Sequence, residues 1–325
     1  MRRWVRGTGA VPFRFGSFWI FLRLWLFVGG AAEAATAVWI DTDPAIGAPW
    51  REVDDAFALV LAFHSPEIEI AGLSNTYGNA SLPRTDKVTR ELVRRFGGAA
   101  GVTESEVHAG AGAPGETSST EASEALARAL RKQKLTYLAL GPLTNLTAFL
   151  KLHPELAARI ERVIFVGGQS TPGRVGFGRN GSQRVHDANV FKDPAAVAAL
   201  LRSAIPVVLT PIELAPPLAL TRADLETLRK SGGAGEYLFR ETRVWLWFWT
   251  GFAGERGGLP FDVLGILPAL RPVSLLTEER FVSLNAAGEL VARKKAGRGA
   301  RRVRFGTGVS GGAKELVVER LRRRP

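Results

Sequence analysis

Asp41, Asp43, Asp54 and Asp55 are the residues of this sequence best placed to do chemistry. Asp41-Thr42-Asp43-Pro44 closes an apolar run, nine residues follow, and Asp54-Asp55 opens an amphipathic stretch. Four carboxylates converging on one strand end and one helix start repel one another strongly unless a cation joins them. One or two acidic residues at a helix start are ordinary caps, which accounts for Asp54 or Asp55 alone and leaves Asp41 and Asp43 unexplained. The chain has no cysteine and its four histidines are scattered. The donors are therefore oxygens, which select a hard cation, and the bidentate capacity of Asp suits Ca²⁺ better than Mg²⁺. Further Asn and Asp residues recur later: Asn75-Thr76-Tyr77-Gly78-Asn79 and Gly141-Pro142-Leu143-Thr144-Asn145 follow apolar runs, His186-Asp187-Ala188-Asn189 stands ahead of Asp193-Pro194, which starts a helix, and Phe261-Asp262 opens another. Singly these are the usual residues of turns and caps. A common position at the strand ends of one sheet makes the set stronger than its members.

The elements that must carry this set are short buried runs rich in Val, Ile and Leu, read as strands over 37–41, 69–74, 135–140, 162–166 and 207–209. Helical patterns lie between them over 54–64, 85–96, 120–132, 143–151 and 194–202, with another opened by Asp262 over 263–270. Strand then helix, repeated, predicts an α/β fold: an open, mainly parallel sheet with helices on both faces, in a single domain over 36–325. Ligands of such sheets bind beyond the carboxyl ends of the strands, which is where the Asp and Asn residues fall. Residues 98–119 read as a surface connection, and the Gly-dense loop 167–181 as a cover over a site. Residues 237–252 hold Trp245, Trp247, Phe248, Trp249 and Phe252, and read as a buried helix, with a pocket wall for a flat ring as the alternative. His64 and His153 stand where helices end and read as C-terminal caps.

The 325 residues carry a formal charge of +12, which invites a reading as a binder of nucleic acid or an anionic surface. The charge is at the ends. Residues 1–35 carry +4, with Arg2, Arg3, Arg6 and Arg14 ahead of an apolar run over 18–30 and a small-x-small triplet Ala32-Glu33-Ala34. This is the layout of a secretory signal peptide, with a membrane anchor as the alternative, and it predicts export to a periplasmic or extracellular location rather than a cytoplasmic one. The basic segment 293–325 carries +10, and its interspersed apolar residues predict terminal strands and a last helix with basic exposed faces. The intervening residues 36–292, which hold every candidate site residue, carry −2. That distribution argues against nucleic acid as a partner and leaves membrane association to the N-terminal segment.

Asp41-Thr42-Asp43-Pro44 with Asp54-Asp55-Ala56, Tyr77-Gly78-Asn79, Gly141-Pro142-Leu143-Thr144-Asn145-Leu146, the run over 163–168, Asp187-Ala188-Asn189 with Asp193-Pro194, and Asp262 resemble, in order and spacing, the motifs of the inosine-uridine preferring nucleoside hydrolases. The resemblance covers roughly residues 37–270. It implies a Rossmann-like nucleoside hydrolase fold with Ca²⁺ at the bottom of the pocket, and hydrolysis of the N-glycosidic bond of ribonucleosides to free base and ribose. It makes Asp43, Asp55 and Asp262, with the backbone carbonyl of Leu140, the ligands of the ion. It makes Asp43 also the base that takes a proton from metal-bound water. Asp54 and Asn79 would hold ribose hydroxyls, Asp187 and Asn189 the 5′ end of the sugar, and Asn180 a further sugar contact.

Three departures from the family pattern accompany the resemblance. The compact Asp-Pro-Gly-x-Asp-Asp turn of the family is lengthened here by about seven residues between Pro44 and Asp54, which lets the four Asp meet only if the insertion bulges outward through residues 47–49. Asp187 stands where the family usually has Glu. Phe261 stands where many members have the His that protonates the leaving base, so that His186, Arg179, Arg184, Tyr237, Arg243 or an aromatic wall must serve instead. These departures leave one alternative function, a member that binds ribose or nucleosides without efficient turnover. The expected partner is a small-molecule nucleoside, and assembly as a homo-oligomer is a further expectation.

Overall fold

The computed structural model describes residues 35–324, Pro49 excepted. The signal peptide or anchor expected within 1–35 lies outside the described residues but for its last position. The described residues lie in one compact unit. In chain order its strands and helices are β1 (Thr36–Thr42), α1 (Asp54–Phe63), β2 (Ile68–Asn75), α2 (Leu82–Phe96), β3 (Val107–Ala109), α3 (Glu121–Lys132), β4 (Leu135–Ala139), α4 (Thr144–Leu152), β5 (Ile160–Phe165), β6 (Val175–Phe177), β7 (Gln183–Val185), α5 (Ala188–Lys192), α6 (Pro194–Arg202), β8 (Val207–Leu209), α7 (Arg222–Ser231), α8 (Gly233–Glu241), α9 (Arg243–Trp247), α10 (Val263–Leu270), β9 (Leu275–Leu284), β10 (Leu290–Arg293), β11 (Arg301–Val309) and α11 (Ala313–Leu321).

Nine strands form one mixed sheet in the order β10-β9-β11-β8-β5-β4-β1-β2-β3, and β6 pairs with β7 in a separate hairpin. From β3 to β11 the neighbours are parallel, and β9 and β10 are added antiparallel at one edge. The fold is thus α/β with a mainly parallel sheet. The chain lays β1, β2 and β3 outward in one direction, then returns to the other side of β1 for β4, β5 and β8. The strand order reverses between β1 and β4, where a crevice opens at the carboxyl ends.

Both faces of the sheet are covered, so the strands are apolar on alternate residues to either side. Val38, Ile40, Leu138 and Ile164 join the layer under α1, α2 and α10, whereas Trp39, Tyr137, Val163 and Phe165 join the layer under α3, α4 and α6. Every residue of α1 and of α10 is buried. These two central helices pack on each other, and a Cβ on Gly265 of α10 would fall 2.6 Å from Leu140 and 2.8 Å from Val166. The close approach sets the start of α10 against the ends of β4 and β5.

The structure corrects several boundaries. The connection read over 98–119 contains the edge strand β3, and the loop read over 167–181 contains half of the β6–β7 hairpin. Residues 237–252 are a broken helix whose faces diverge. Trp245 and Trp249 are buried, while Trp247 is 55% and Phe252 67% exposed. His64 and His153 do cap α1 and α4. No helix among the described residues is long and apolar enough to cross a membrane.

The basic C-terminal segment is built into the fold. β11 pairs with β8 on one side and β9 on the other, and the buried Arg320 of α11 forms a bidentate pair with Glu67 at 2.6 and 3.0 Å. Val303, Phe305, Val317 and Leu321 are buried, each contributing about 1.5–3 kcal/mol, which together rivals the ~5–15 kcal/mol stability of a whole domain. A chain ending at Arg293 is therefore expected to show no cooperative thermal transition by circular dichroism, and a truncated protein that melts like the full chain would contradict this.

Candidate functional site

Two buried helix starts and one strand end bring the carboxylates together. Asp54 and Asp55 occupy the first turn of α1, and Asp262 precedes α10 as its N-terminal cap residue. One carboxylate oxygen from each of Asp54, Asp55 and Asp262 lies within 4.8 Å of the others. The N–H groups at helix starts and the aligned peptide dipoles favour negative charge there, which eases the convergence without neutralising it. The backbone N–H of Asp262 donates to Asp54 Oδ2 at 3.3 Å, and Asp54 Oδ1 is buried with no partner among the described residues.

Asp43 lies beside this trio, at the end of β1. Its backbone N–H and the Thr42 hydroxyl donate to Asp55 Oδ1 at 3.0 and 2.5 Å. The Asp43 carboxylate accepts the backbone N–H of Asn79 at 2.6 Å and lies 3.5 Å from the Lys192 ammonium. Asn79 also donates its side-chain amide to Asp55 Oδ2 at 3.0 Å. Gly78 is required for this packing, because a Cβ there would sit 1.7 Å from Asp43 Oδ2. The expected set of Asp43, Asp55 and Asp262 and the observed trio thus share Asp55 and Asp262, with Asp54 in the third place. The insertion does bulge outward, as convergence required: Ala45, Ile46 and Val53 are buried at its two ends, Gly47 takes φ +78°, and Trp50 is 72% exposed.

The pocket above the carboxylates has a polar floor of Asp54, Asp262, Asn79, Asn189 and the Leu140 backbone. Asn189 donates its amide to the carbonyls of Leu140 at 2.7 Å and Val166 at 3.0 Å, which fixes both. Asp187 also lines the pocket, but its carboxylate is engaged in capping α5, accepting from Gly168 N at 2.6 Å and Val190 N at 3.3 Å. Trp249, Phe261 and Ile212 form an apolar wall. Phe177, Trp249 and Phe261 meet edge to face with ring centroids 5.4–5.8 Å apart. Asn180 stands outside this lining, exposed on the turn between β6 and β7 with φ +56°. Of the residues considered as substitutes for the family His, His186 lines the pocket, whereas Tyr237 packs on Phe96 and Arg179, Arg184 and Arg243 are exposed.

Sequence reasoning missed Glu52 and Lys192. Glu52 is on the inserted segment, lines the pocket, and accepts the Trp245 indole N–H at 2.8 Å. Lys192 ends α5, where a basic residue reads as an ordinary helix-terminal charge. Neither follows an apolar run, so the rule that found the others does not reach them.

A family model described as "Inosine-uridine preferring nucleoside hydrolase" matches residues 38–313. The chain belongs to that family. This nucleoside hydrolase is 28% identical over 287 residues to the pyrimidine-specific ribonucleoside hydrolase RihA of Klebsiella pneumoniae (strain 342), covering 78% of this chain and 86% of that enzyme. Its fold is similar to that of a plant nucleoside hydrolase, with a TM-score of 0.75 at 22% identity over 89% of this chain and 99% of the other. It is similar also to that of a purine-preferring ribonucleoside hydrolase from Gardnerella vaginalis, with a TM-score of 0.74 at 20% identity over 88% and 98%.

The buried Asp54, Asp55 and Asp262 of this nucleoside hydrolase fit a metal site of the family's kind. The donors are all oxygens, one is an orphaned buried carboxylate oxygen, and their spacing can bracket an ion whose ligands lie at about 2.3–2.6 Å. Without a cation the cluster resists ionisation. Burial, then the neighbouring carboxylates, pushes Asp54 and Asp262 well above the ordinary range. Burial and then the charge of Asp55 raise Asp43 to about 7, opposed by Lys192 and the Asn79 N–H. Burial raises Glu52 and Asp187 to about 7. Glu52 is held back by Trp245 and, more weakly, by Trp249, whose N–H has no partner of normal geometry.

These shifts have a definite sign. A carboxyl raised from about 4 to about 7 on folding binds more protons in the folded state between those values, so its contribution to stability falls as pH rises through that window. The metal-free protein is therefore expected to melt at lower temperature at pH 7.5 than at pH 5 in scanning calorimetry. Asp54→Asn is expected to flatten the slope, and Ca²⁺ to raise the melting temperature more at pH 7.5 than at pH 5. Equal Ca²⁺ shifts at both pH values would show that these carboxylates do not hold the ion.

Proposed function

We propose that this enzyme hydrolyses the N-glycosidic bond of ribonucleosides to free base and ribose with the help of Ca²⁺. The observation that carries the reading is the convergence of Asp54, Asp55 and Asp262, with Asp54 and Asp262 lining a pocket that has an aromatic wall, beyond the carboxyl ends of β1 and β4. Asp54, Asp55 and Asp262 would hold the cation, with Asp43 and the Leu140 carbonyl beside them. The cation, when bound, supplies Lewis acidity that makes water more acidic and draws in the sugar hydroxyls.

The residues of the chain do the rest. Asp43, fixed by the Asn79 N–H, takes a proton as the water oxygen bonds to the anomeric carbon. The C–N bond breaks with its electron pair passing to the base, which takes up a proton from solvent as it leaves, while Asp43 gives the proton it took from water back to solvent. Positive charge develops on the ribose ring during this step, and the negative floor stabilises it. Asp54, Asn79 and Asn189 are the groups offered to the ribose hydroxyls, and Trp249 and Phe261 are the surface offered to the flat base. Export through residues 1–35 belongs to the same proposal, on sequence grounds.

A second reading, nucleoside binding without efficient turnover, has one observation in its favour: the Lys192 ammonium lies 3.5 Å from the proposed base and lowers its basicity. Release of free base and ribose from a nucleoside panel separates the two. Asp43→Ala is expected to reduce kcat by about 10²–10⁴-fold, and a Ca²⁺ chelator to abolish turnover reversibly. Undiminished activity in Asp43→Ala would sink the mechanism. Calorimetric binding of a nucleoside by a protein that releases no base would establish the second reading.

A further inference from the structure

The inserted segment delivers a further carboxylate to the pocket, close to Asp54 of the floor and beside the aromatic wall. Glu52 lines the pocket together with Trp249 and Phe261, and its Oε2 accepts the Trp245 indole N–H at 2.8 Å. That anchor is rigid. Trp245 is buried, its ring lies 5.5 Å from Phe57 of α1, and it packs so closely on Gly258 that a Cβ there would fall 2.0 Å from the indole. Among the described residues, Oε1 of Glu52 takes no hydrogen bond of normal geometry, the Trp249 N–H lying near without bonding it, so that oxygen can accept from a ligand.

The other lining carboxylates are committed elsewhere. Asp54 and Asp262 belong to the floor trio, and Asp187 receives the backbone N–H groups of Gly168 and Val190. A flat ring on the aromatic wall therefore has the Glu52 carboxylate as its uncommitted acceptor. An acceptor-only group discriminates by the N–H it receives: a ring N–H supplies one, and an N-methylated ring does not. A site built around such a bond rejects the analogue lacking it, because the acceptor is left without a partner.

We propose that Glu52 sets base specificity, its free carboxylate oxygen accepting the ring N–H of a nucleobase held against Trp249 and Phe261, as uracil offers at N3 and hypoxanthine at N1. The proposal rests on the nucleoside-hydrolysing reading above and adds the base contact to it. Glu52 is a specificity residue carried by the segment that separates Pro44 from Asp54, so the insertion that lengthens the first loop also furnishes the pocket.

The test compares kcat/KM for uridine with 3-methyluridine and for inosine with 1-methylinosine in the Ca²⁺-loaded wild type, Glu52→Ala and Glu52→Gln. The wild type is expected to favour the unmethylated member of whichever pair it cleaves by at least about tenfold. In Glu52→Ala that ratio is expected to fall to within about twofold of unity. In Glu52→Gln, which keeps an acceptor oxygen and can keep the bond to Trp245, it is expected to fall severalfold. A merely structural role for Glu52 would lower both members of a pair alike and leave the ratio in place. If hydrolysis persists and the ratio is unchanged in both variants, or if the wild type does not discriminate, the Glu52 proposal is overturned while the hydrolase reading stands. If the wild type releases base from none of the four nucleosides or the wider panel, the hydrolase reading itself falls, and this proposal with it.

Discussion

Confining several carboxylates in one buried volume is the constraint on which the rest of this molecule turns. Burial displaces Asp43, Asp54, Asp55 and Asp262 upward in pKa, and for Asp43, Asp54 and Asp262 the neighbouring carboxylates add to the displacement. The fold meets the constraint with partial positive charge from its backbone. Two wholly buried helices point their N-termini at the cluster, and N–H groups of Asp43, Asn79 and Asp262 are aimed at its oxygens. What remains uncompensated, above all Asp54 Oδ1, is an attraction waiting for a cation. The sheet topology follows the same need, since the strand order reverses between β1 and β4, where Asp43 and Leu140 emerge.

Much of this was legible because the site lies where a simple rule points. Buried parallel strands read as continuous Val, Ile and Leu runs, and the polar residues that follow them reveal the crevice without any knowledge of tertiary contacts. Asp43, Asn79 and Leu140 stand at or just beyond the ends of such runs, whereas Asn189 and Asp262 stand at helix starts, and the roles of the set came from the resemblance to the family. Glu52 was not legible in that way, since its place beside Trp249 depends on the inserted loop meeting a segment nearly two hundred residues away in sequence. No local periodicity encodes that meeting. The segment over 237–252 shows the same limit, for its aromatic density suggested burial while a π-type turn at its end separates Trp249, inward, from Phe252, outward. Asn180 was misplaced for a related reason: a Gly-rich loop has no period by which to fix which residue faces in, and the left-handed backbone at Asn180 sends it outward.

Net charge proved informative only after it was located. The +10 of residues 293–325 belongs to a strand and a helix whose apolar faces are buried, with Arg320 drawn inside to meet Glu67. A guanidinium buried with a bidentate carboxylate is a structural connection between the start of β2 and the last helix. The remaining basic side chains coat the outside of the same elements.

The position of β11 has a consequence for the order in which the molecule can be made. The last strand in the chain is not at an edge but between β8 and β9, so the β9–β10 hairpin has no partner in the main sheet until residues 301–309 have been synthesised. Until then β8 presents a bare parallel edge, the kind of surface that recruits other chains. The sheet is therefore continuous only once β11 has been inserted between β8 and β9.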